Sequence, residues 1–266
     1  VKGAELLHPL IAVLPSDLLE FEQKERIEAR LQTWTNDLVR DRLGLLLAAR
    51  EAPLQGVARG LVFQLTESLG ALPRFEADGE IKALSKDDRH ELRRFGIRIG
   101  RHLIYIPTLL RPAAAQLSVL LWGVFENSDP LLPPPPAGRV SLRREKHEPE
   151  GWLRAAGFRP AGTLFVRADM LERLAEMAWK RLEAAKGPFE ANEDFLSLAG
   201  CSAVDVAGIL SSLGFQADKD GKWAPKSWRS RAANVAKKPQ APHPALTATA
   251  AANPVADSVA DPGALN

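Results

Sequence analysis

Apolar positions along this chain change period several times, and each change marks an element. Ile27, Leu31, Trp34 and Leu38 recur at helical spacing with Leu45 and Leu46 behind them, so a long amphipathic helix is predicted to bury that face. Ser16 is placed to cap it, Asp17 and Glu20 suit the positive dipole of its first turns, and Pro53 breaks it. Val57, Leu61 and Leu65 align on a second helix over residues 55–69, closed by Gly70, and a polar connector follows over 74–80. Ser85 with Asp88 caps a helix that ends at Gly96, where Arg93 and Arg94 face its negative end. Ile97 and Ile99 then alternate with Arg98 and Gly100, a strand's period of two. Residues 103–106 are apolar throughout, the mark of a strand buried on both faces, and Pro107 ends it. Pro112 opens a helix that turns Leu117, Leu120, Leu121 and Val124 to one side.

Four consecutive prolines within residues 131–138 favour an extended spacer. The charged run RVSLRREKHEPE after it is expected to be exposed. Trp152 and Leu153 point inward from a short helix, and residues 163–167 make a brief strand. Asp169 with Glu172 forms a cap for a helix lined by Leu171, Leu174, Ala178 and Leu182. Residues 192–225 outline a helix capped by Asn192, a turn at Ala199-Gly200-Cys201, and a helix capped by Ser202 with Asp205. Two strands follow, turning at Asp220-Gly221 with Trp223 on the return. That order is the outline of a winged helix-turn-helix. The predicted fold is mainly α with a minor β part. A helical region spans residues 1–130 with a β-hairpin near 97–106, and a proline-rich linker spans 131–150. A winged-helix-like region over 151–228 and a disordered tail over 229–266 complete it.

Composition then narrows the function. An apolar fraction of 45% supplies a proper core, and a net charge of +2 argues against a dedicated, strongly basic nucleic-acid binder. Cys201 is the only cysteine, which excludes an internal disulfide or a cysteine-based zinc cluster and fits a reducing, cytoplasmic compartment. No apolar run has the length of a membrane span, and no signal-peptide pattern opens the chain. His8, His90, His102, His147 and His243 keep no metal-ligand spacing, and the phosphate-loop, dinucleotide and nucleophile-elbow motifs are absent. On these grounds the chain by itself is expected not to be an enzyme.

What remains is basic clustering. Arg89, Arg93, Arg94, Arg98 and Arg101 form one group, and Arg139, Arg143, Arg144 and Lys146 a second. Lys222, Lys226, Arg229 and Arg231 form a third, interleaved with Trp223 and Trp228. Each group also reads as a solvated face, but the third pairs stacking platforms with cations in the way single strands are bound. The second helix of the winged outline carries no Lys or Arg, which weighs against base-edge readout.

The succession of FGIRIGRHLIYIPTLLRPAAAQLSVLLW, PPPPAGRVSL, WLRAAGFRPAGTLFVRADMLERLA and LAGCSAVDVAGILSSLGF resembles the C-terminal accessory region of Suv3-like DExH-type RNA/DNA helicases, in the bacterial version, over roughly residues 5–225. The resemblance implies a helical region packed beside two RecA-like motor domains upstream of Val1. Those domains would carry ATP, Mg²⁺ and catalysis, so no cofactor and no catalytic residue is expected in this chain. The implied partners are single-stranded RNA or DNA and the motor domains in cis, with no membrane. Charge placement nominates Arg98, Arg101 and Arg111, together with Lys226, Arg229 and Arg231, as strand contacts. The alternatives are a stand-alone winged-helix nucleic-acid-binding protein, or a protein-interaction scaffold without nucleic-acid affinity that uses the proline run and apolar helix faces.

Overall fold

A computed structural model describes residues 1–128, 131–143, 145 and 148–226 of this mainly α protein with a minor β part. The expected tail, Arg229 and Arg231 lie outside the described residues. Helix α1 (Phe21–Glu51) begins later than Ser16 predicts, because Glu20 and Gln23 close a reciprocal capping box at its start. Its buried residues are Val39, Leu43, Leu46, Leu47 and Ala49, so only its C-terminal half enters the core. The predicted buried face is open only over its N-terminal part, where Ile27 is 37%, Leu31 40% and Trp34 58% exposed. Leu38 and Leu45 pack against the core and Leu46 is buried, as expected. Helical spacing made that stretch apolar, and the N-terminal segment bonded beside it at Glu28 and Gln32 leaves it more than a third exposed.

Helix α2 (Gly56–Glu67) follows and buries Leu61 and Leu65 as their spacing requires. Strand β1 (Ala71–Pro73) comes next, and the expected polar connector folds into a 3₁₀ turn over Arg74–Ala77 and helix α3 (Asp78–Ala83). Helix α4 (Lys86–Arg94) has the Ser85–Asp88 capping box that its sequence announced. Gly96 turns the chain with φ +71° into β2 (Arg98–Ile99) and β3 (Leu103–Tyr105). The expected hairpin is in fact a three-stranded antiparallel sheet of order β1-β3-β2, with Leu72 opposite Ile104. Helix α5 (Pro112–Phe125) starts on its proline and buries Leu117 and Leu121, whereas Leu120, expected in the core, is exposed.

The stretch after the prolines is not simply an exposed connector. Ser141–Leu142 forms β4 and pairs with β6 (Leu164–Arg167), which also pairs with β5 (Phe158–Ala161) across a tight turn. Helix α6 (Glu150–Ala155) buries Trp152 and Leu153, and the Trp152 indole N–H donates to the Pro133 carbonyl at 2.9 Å. Helices α7 (Ala168–Ala185), α8 (Glu193–Ala199) and α9 (Ala203–Ser212) precede the hairpin of β7 (Phe215–Ala217) and β8 (Trp223–Pro225). Among the described residues no single helix is long and apolar enough to cross a membrane.

Two hydrophobic clusters meet at the sheets, and both draw on residues from either side of the proline run. Strand β3 sends Ile104 into the first cluster and Leu103 and Tyr105 into the second, which is why its run is apolar without alternation. Strand β6 does the same, with Phe165 on one side and Leu164 and Val166 on the other. Arg159 of β5 is buried between them and donates to the carbonyls of Arg154, Phe158, Ser68 and Ala71, tying β5 to the β1 segment. Burial, helped by the neighbouring Arg154 charge, pushes its guanidinium down to about 10.

Candidate nucleic-acid interface

The edge of the first sheet carries the arginines singled out by sequence. The turn from β2 to β3 is closed by the Gly100 N–H donating to the Leu103 carbonyl at 2.8 Å. Three successive N–H groups of this turn then point at one carboxylate. Glu172 of α7 accepts from the backbone of His102 and of Leu103, each at 3.0 Å, and from that of Arg101. Glu172 therefore does not cap its own helix; α7 begins without a side-chain cap, and Asp169 pairs instead with Arg167 at 2.7 Å. From the other side Arg74 donates to the Gly100 carbonyl at 2.7 Å. Gly100 is required here because a Cβ would stand 2.3 Å from the Glu172 carboxyl carbon.

This clamp fixes the backbone and leaves cationic side chains on two flanks. On one lies a cleft of about 560 Å³ lined by Arg89, Arg93 and Arg98, with Tyr105, Glu172 and Glu176 opposite. Arg89 is held to the Ile81 carbonyl, and Arg98 lies beside the Tyr105 phenol, whose ionisation is pushed up chiefly by burial. Arg93 is exposed, and its side chain makes no hydrogen bond or ion pair among the described residues. On the other flank a cleft of about 350 Å³ is formed by Arg74, Phe75, Asp78, Arg101 and His102. Phe75 is 74% exposed, an aromatic face beside cations. The Arg101 guanidinium lies 5.2 Å from the Trp179 ring centroid and 3.7 Å from Glu183. Burial pushes His102 below its ordinary value while the Glu172 charge opposes it, which keeps the imidazole neutral near pH 7.

The sequence-nominated residues therefore separate. Arg98 and Arg101 flank one turn. Arg111 stands ahead of α5 and lines a different cleft with Asp41 and Arg42. Lys226 is exposed after β8, its backbone N–H bonded to the Gly214 carbonyl at 3.0 Å. The nomination overlooked Arg74, Phe75 and Glu172. Phe75 carried one signal, an apolar residue inside a polar connector. Arg89 and Arg93 were visible as a basic cluster, although nothing local said that they share a cleft with Arg98.

The winged outline is built differently. Helices α8 and α9 meet at 83° across a turn in which Gly200 has φ +62°, as the pattern required. Asn192 precedes α8, but its side chain makes no cap hydrogen bond; its amide donates to Asp194 instead. Asp205 is buried and accepts from Arg143 at 2.7 Å, Thr163 at 3.1 Å and Ser202 at 2.6 Å. The Ser202 hydroxyl first, then Thr163 and Arg143, hold its carboxyl below the usual range against burial. Helix α9 has no Lys or Arg, and Gly208 on it lies in backbone contact with Gly162 of the β5–β6 turn. Burial and the Asp205 charge push the Cys201 thiol up, against Arg143, so the protonated form that fills the turn is favoured over a nucleophilic thiolate. Among the described residues no group of His, Cys, Asp or Glu is arranged to hold a metal ion.

No family model matches the chain, and neither a curated protein nor a solved structure matches it.

Proposed function

We propose that this chain is a non-catalytic accessory segment of a Suv3-like helicase that helps to engage a single strand of nucleic acid at the β2–β3 turn. The observation that carries this reading is the clamped turn itself. Three N–H groups are spent on Glu172, so the backbone is rigid, while Arg93, Arg98 and Arg101 project from its flanks. Arg89, Arg93 and Arg98 neutralise successive phosphates, and Phe75 gives a base a face to stack on. Guanidinium and aromatic groups read no particular base, so binding is sequence-tolerant. In this reading the RecA-like motor domains, in cis, supply ATP hydrolysis and translocation, and this segment supplies grip. The absence of cations from α9 and its seat on the β5–β6 turn favour the β2–β3 turn over the winged outline as the contact surface.

The test is a salt titration of binding to labelled single-stranded RNA, single-stranded DNA and duplex. Single-strand affinity is expected to fall linearly on logarithmic axes, with a slope of about −0.7 per phosphate contact. Arg93→Ala with Arg98→Ala should flatten that slope by roughly 1.4, two such contacts, without loss of fold. An unchanged slope removes the β2–β3 turn from the interface, and no binding at low salt removes the reading.

A further inference from the structure

The open stripe on α1 has a spacing that specifies a partner. Ile27, Leu31, Trp34 and Leu38 follow one another at intervals of four, three and four, which is the seam of a coiled coil and narrower than a core-facing stripe. The first three are exposed, and Leu38 is half-buried against the first hydrophobic cluster. The same seam continues to Lys24 on the N-terminal side and to Asp41 on the C-terminal side, each three residues further on. One flank of it is already closed by the chain's own N-terminal segment. The backbone N–H groups of Ile11 and Val13 donate to Gln32 at 3.0 Å and Glu28 at 2.9 Å, and the Gln32 amide donates to the Pro9 carbonyl at 3.0 Å. That segment braces the helix beside the seam and leaves Ile27, Leu31 and Trp34 exposed.

We infer that a second copy of this chain covers the seam, as an antiparallel pair of α1 helices related by a twofold axis. In that register Leu31 meets Trp34 of the second copy, and Ile27 meets Leu38 of the second copy. Lys24 meets Asp41 at both ends, and Arg30 on the flank faces Asp37. The paired stretch, residues 24–41, is about 26 Å of helix at 1.5 Å per residue. A parallel pairing would place Lys24 on Lys24 and Asp41 on Asp41, so the charges select the antiparallel one. Lys24 and Arg30 have no partner among the described residues, while Asp41 and Asp37 make only exposed contacts to Arg42 and Arg40 at 3.1 and 3.7 Å. Such exposed pairs give way easily.

A further fit comes one turn beyond the charged pair. Phe21, exposed at the N-terminus of α1, falls near Gly44 of the second copy, just past Leu43 (φ −116°, ψ 19°), where α1 kinks away from the straight register. Gly44 lies in a cleft of about 510 Å³ lined also by Leu45, Thr108 and Leu109. The tip of each arm thus has an aromatic knob, and the base of each has a hole with a glycine in its wall.

Sedimentation equilibrium of the whole chain across a wide concentration range tests this independently of nucleic acid. A reversible dimer is expected. Trp34→Glu, a change at an exposed position, should give a monomer of unchanged helicity. Lys24→Glu and Asp41→Lys should each weaken the dimer on the order of tenfold or more, and the two together should restore it. In a Cys201→Ser background, Lys24→Cys with Asp41→Cys should cross-link on oxidation, whereas Lys24→Cys alone should not. A monomer at every concentration overturns the inference and assigns the seam to another occupant. A dimer indifferent to Trp34→Glu, a charge reversal that restores nothing, or cross-linking through Lys24→Cys alone overturns it equally.

Discussion

Two buried carboxylates organise this molecule, and they treat neighbouring arginines in opposite ways. Glu172 binds backbone N–H groups of the β2–β3 turn and leaves the arginine side chains on that turn facing outward. Asp205, at the α8–α9 turn, binds the side chain of Arg143 itself, together with two hydroxyls. The first spends an anion on shape and keeps cationic charge available for a ligand. The second spends it on pairing a cation, so part of the positive charge of the 139–143 stretch is matched by Asp205, although the Arg143 side chain itself stays exposed. Counting basic residues along the sequence cannot separate these cases, because the sorting is done by acids far away in the chain.

Removing the Glu172 carboxylate breaks the comparison most severely. Glu172→Ala leaves turn N–H groups without an acceptor and should cost roughly 3 kcal/mol in denaturant unfolding, with strand affinity falling as the turn loosens. Asp205→Asn should cost less, and its signature is the pH dependence. The folded carboxyl titrates below its ordinary 3.8, so its contribution is full above that value and is lost as pH falls through the folded value. The variant's stability should vary less with pH over that acidic window, measured by urea unfolding at stepped pH.

A sharper contrast comes from two arginines. Arg98→Ala should lower single-strand affinity and the salt slope with little change in stability, whereas Arg143→Ala should lower stability and leave the slope alone. Equal effects of the two on binding would erase the distinction drawn between the turns. The smallest effect concerns His102, which faces Arg74, Arg101, Asp78 and Glu172. Its folded value lies below 6.5, so it gains charge only as pH falls through that lower value, and the stability it contributes above 6.5 is lost there. Strand affinity should rise over the same window by a few-fold, and His102→Gln should flatten the rise.

Local chemistry was legible and long-range use was not. The Ser85–Asp88 box, the Gly96 stop and the doubly buried run at 103–106 are each decided by a few adjacent residues, and each formed as the pattern required. Asp169 with Glu172 has the spacing of a cap, yet the Glu172 acceptor is taken by N–H groups about 70 residues earlier in the chain. Strand β1 is three residues ending in proline, too short to show a period. The stripe on α1 was read correctly as apolar, but wrongly as buried over Ile27, Leu31 and Trp34, because spacing specifies a face and says nothing about its cover. In the candidate site the same rule applied: Arg98 and Arg101 were found from charge, but Phe75 and Glu172 had to be seen in place.

The way β3 and β6 divide their side chains between two clusters has a consequence for unfolding. Neither cluster can open without pulling a strand out of the other, so the molecule lacks a seam along which half of it could melt. Amide protons of Ile104 and Val166 should exchange with solvent only through global unfolding, at a common rate, even though they lie on opposite sides of the proline run. A protease that cuts within residues 131–136 should for the same reason release no piece: the nicked halves stay together until both denature at once.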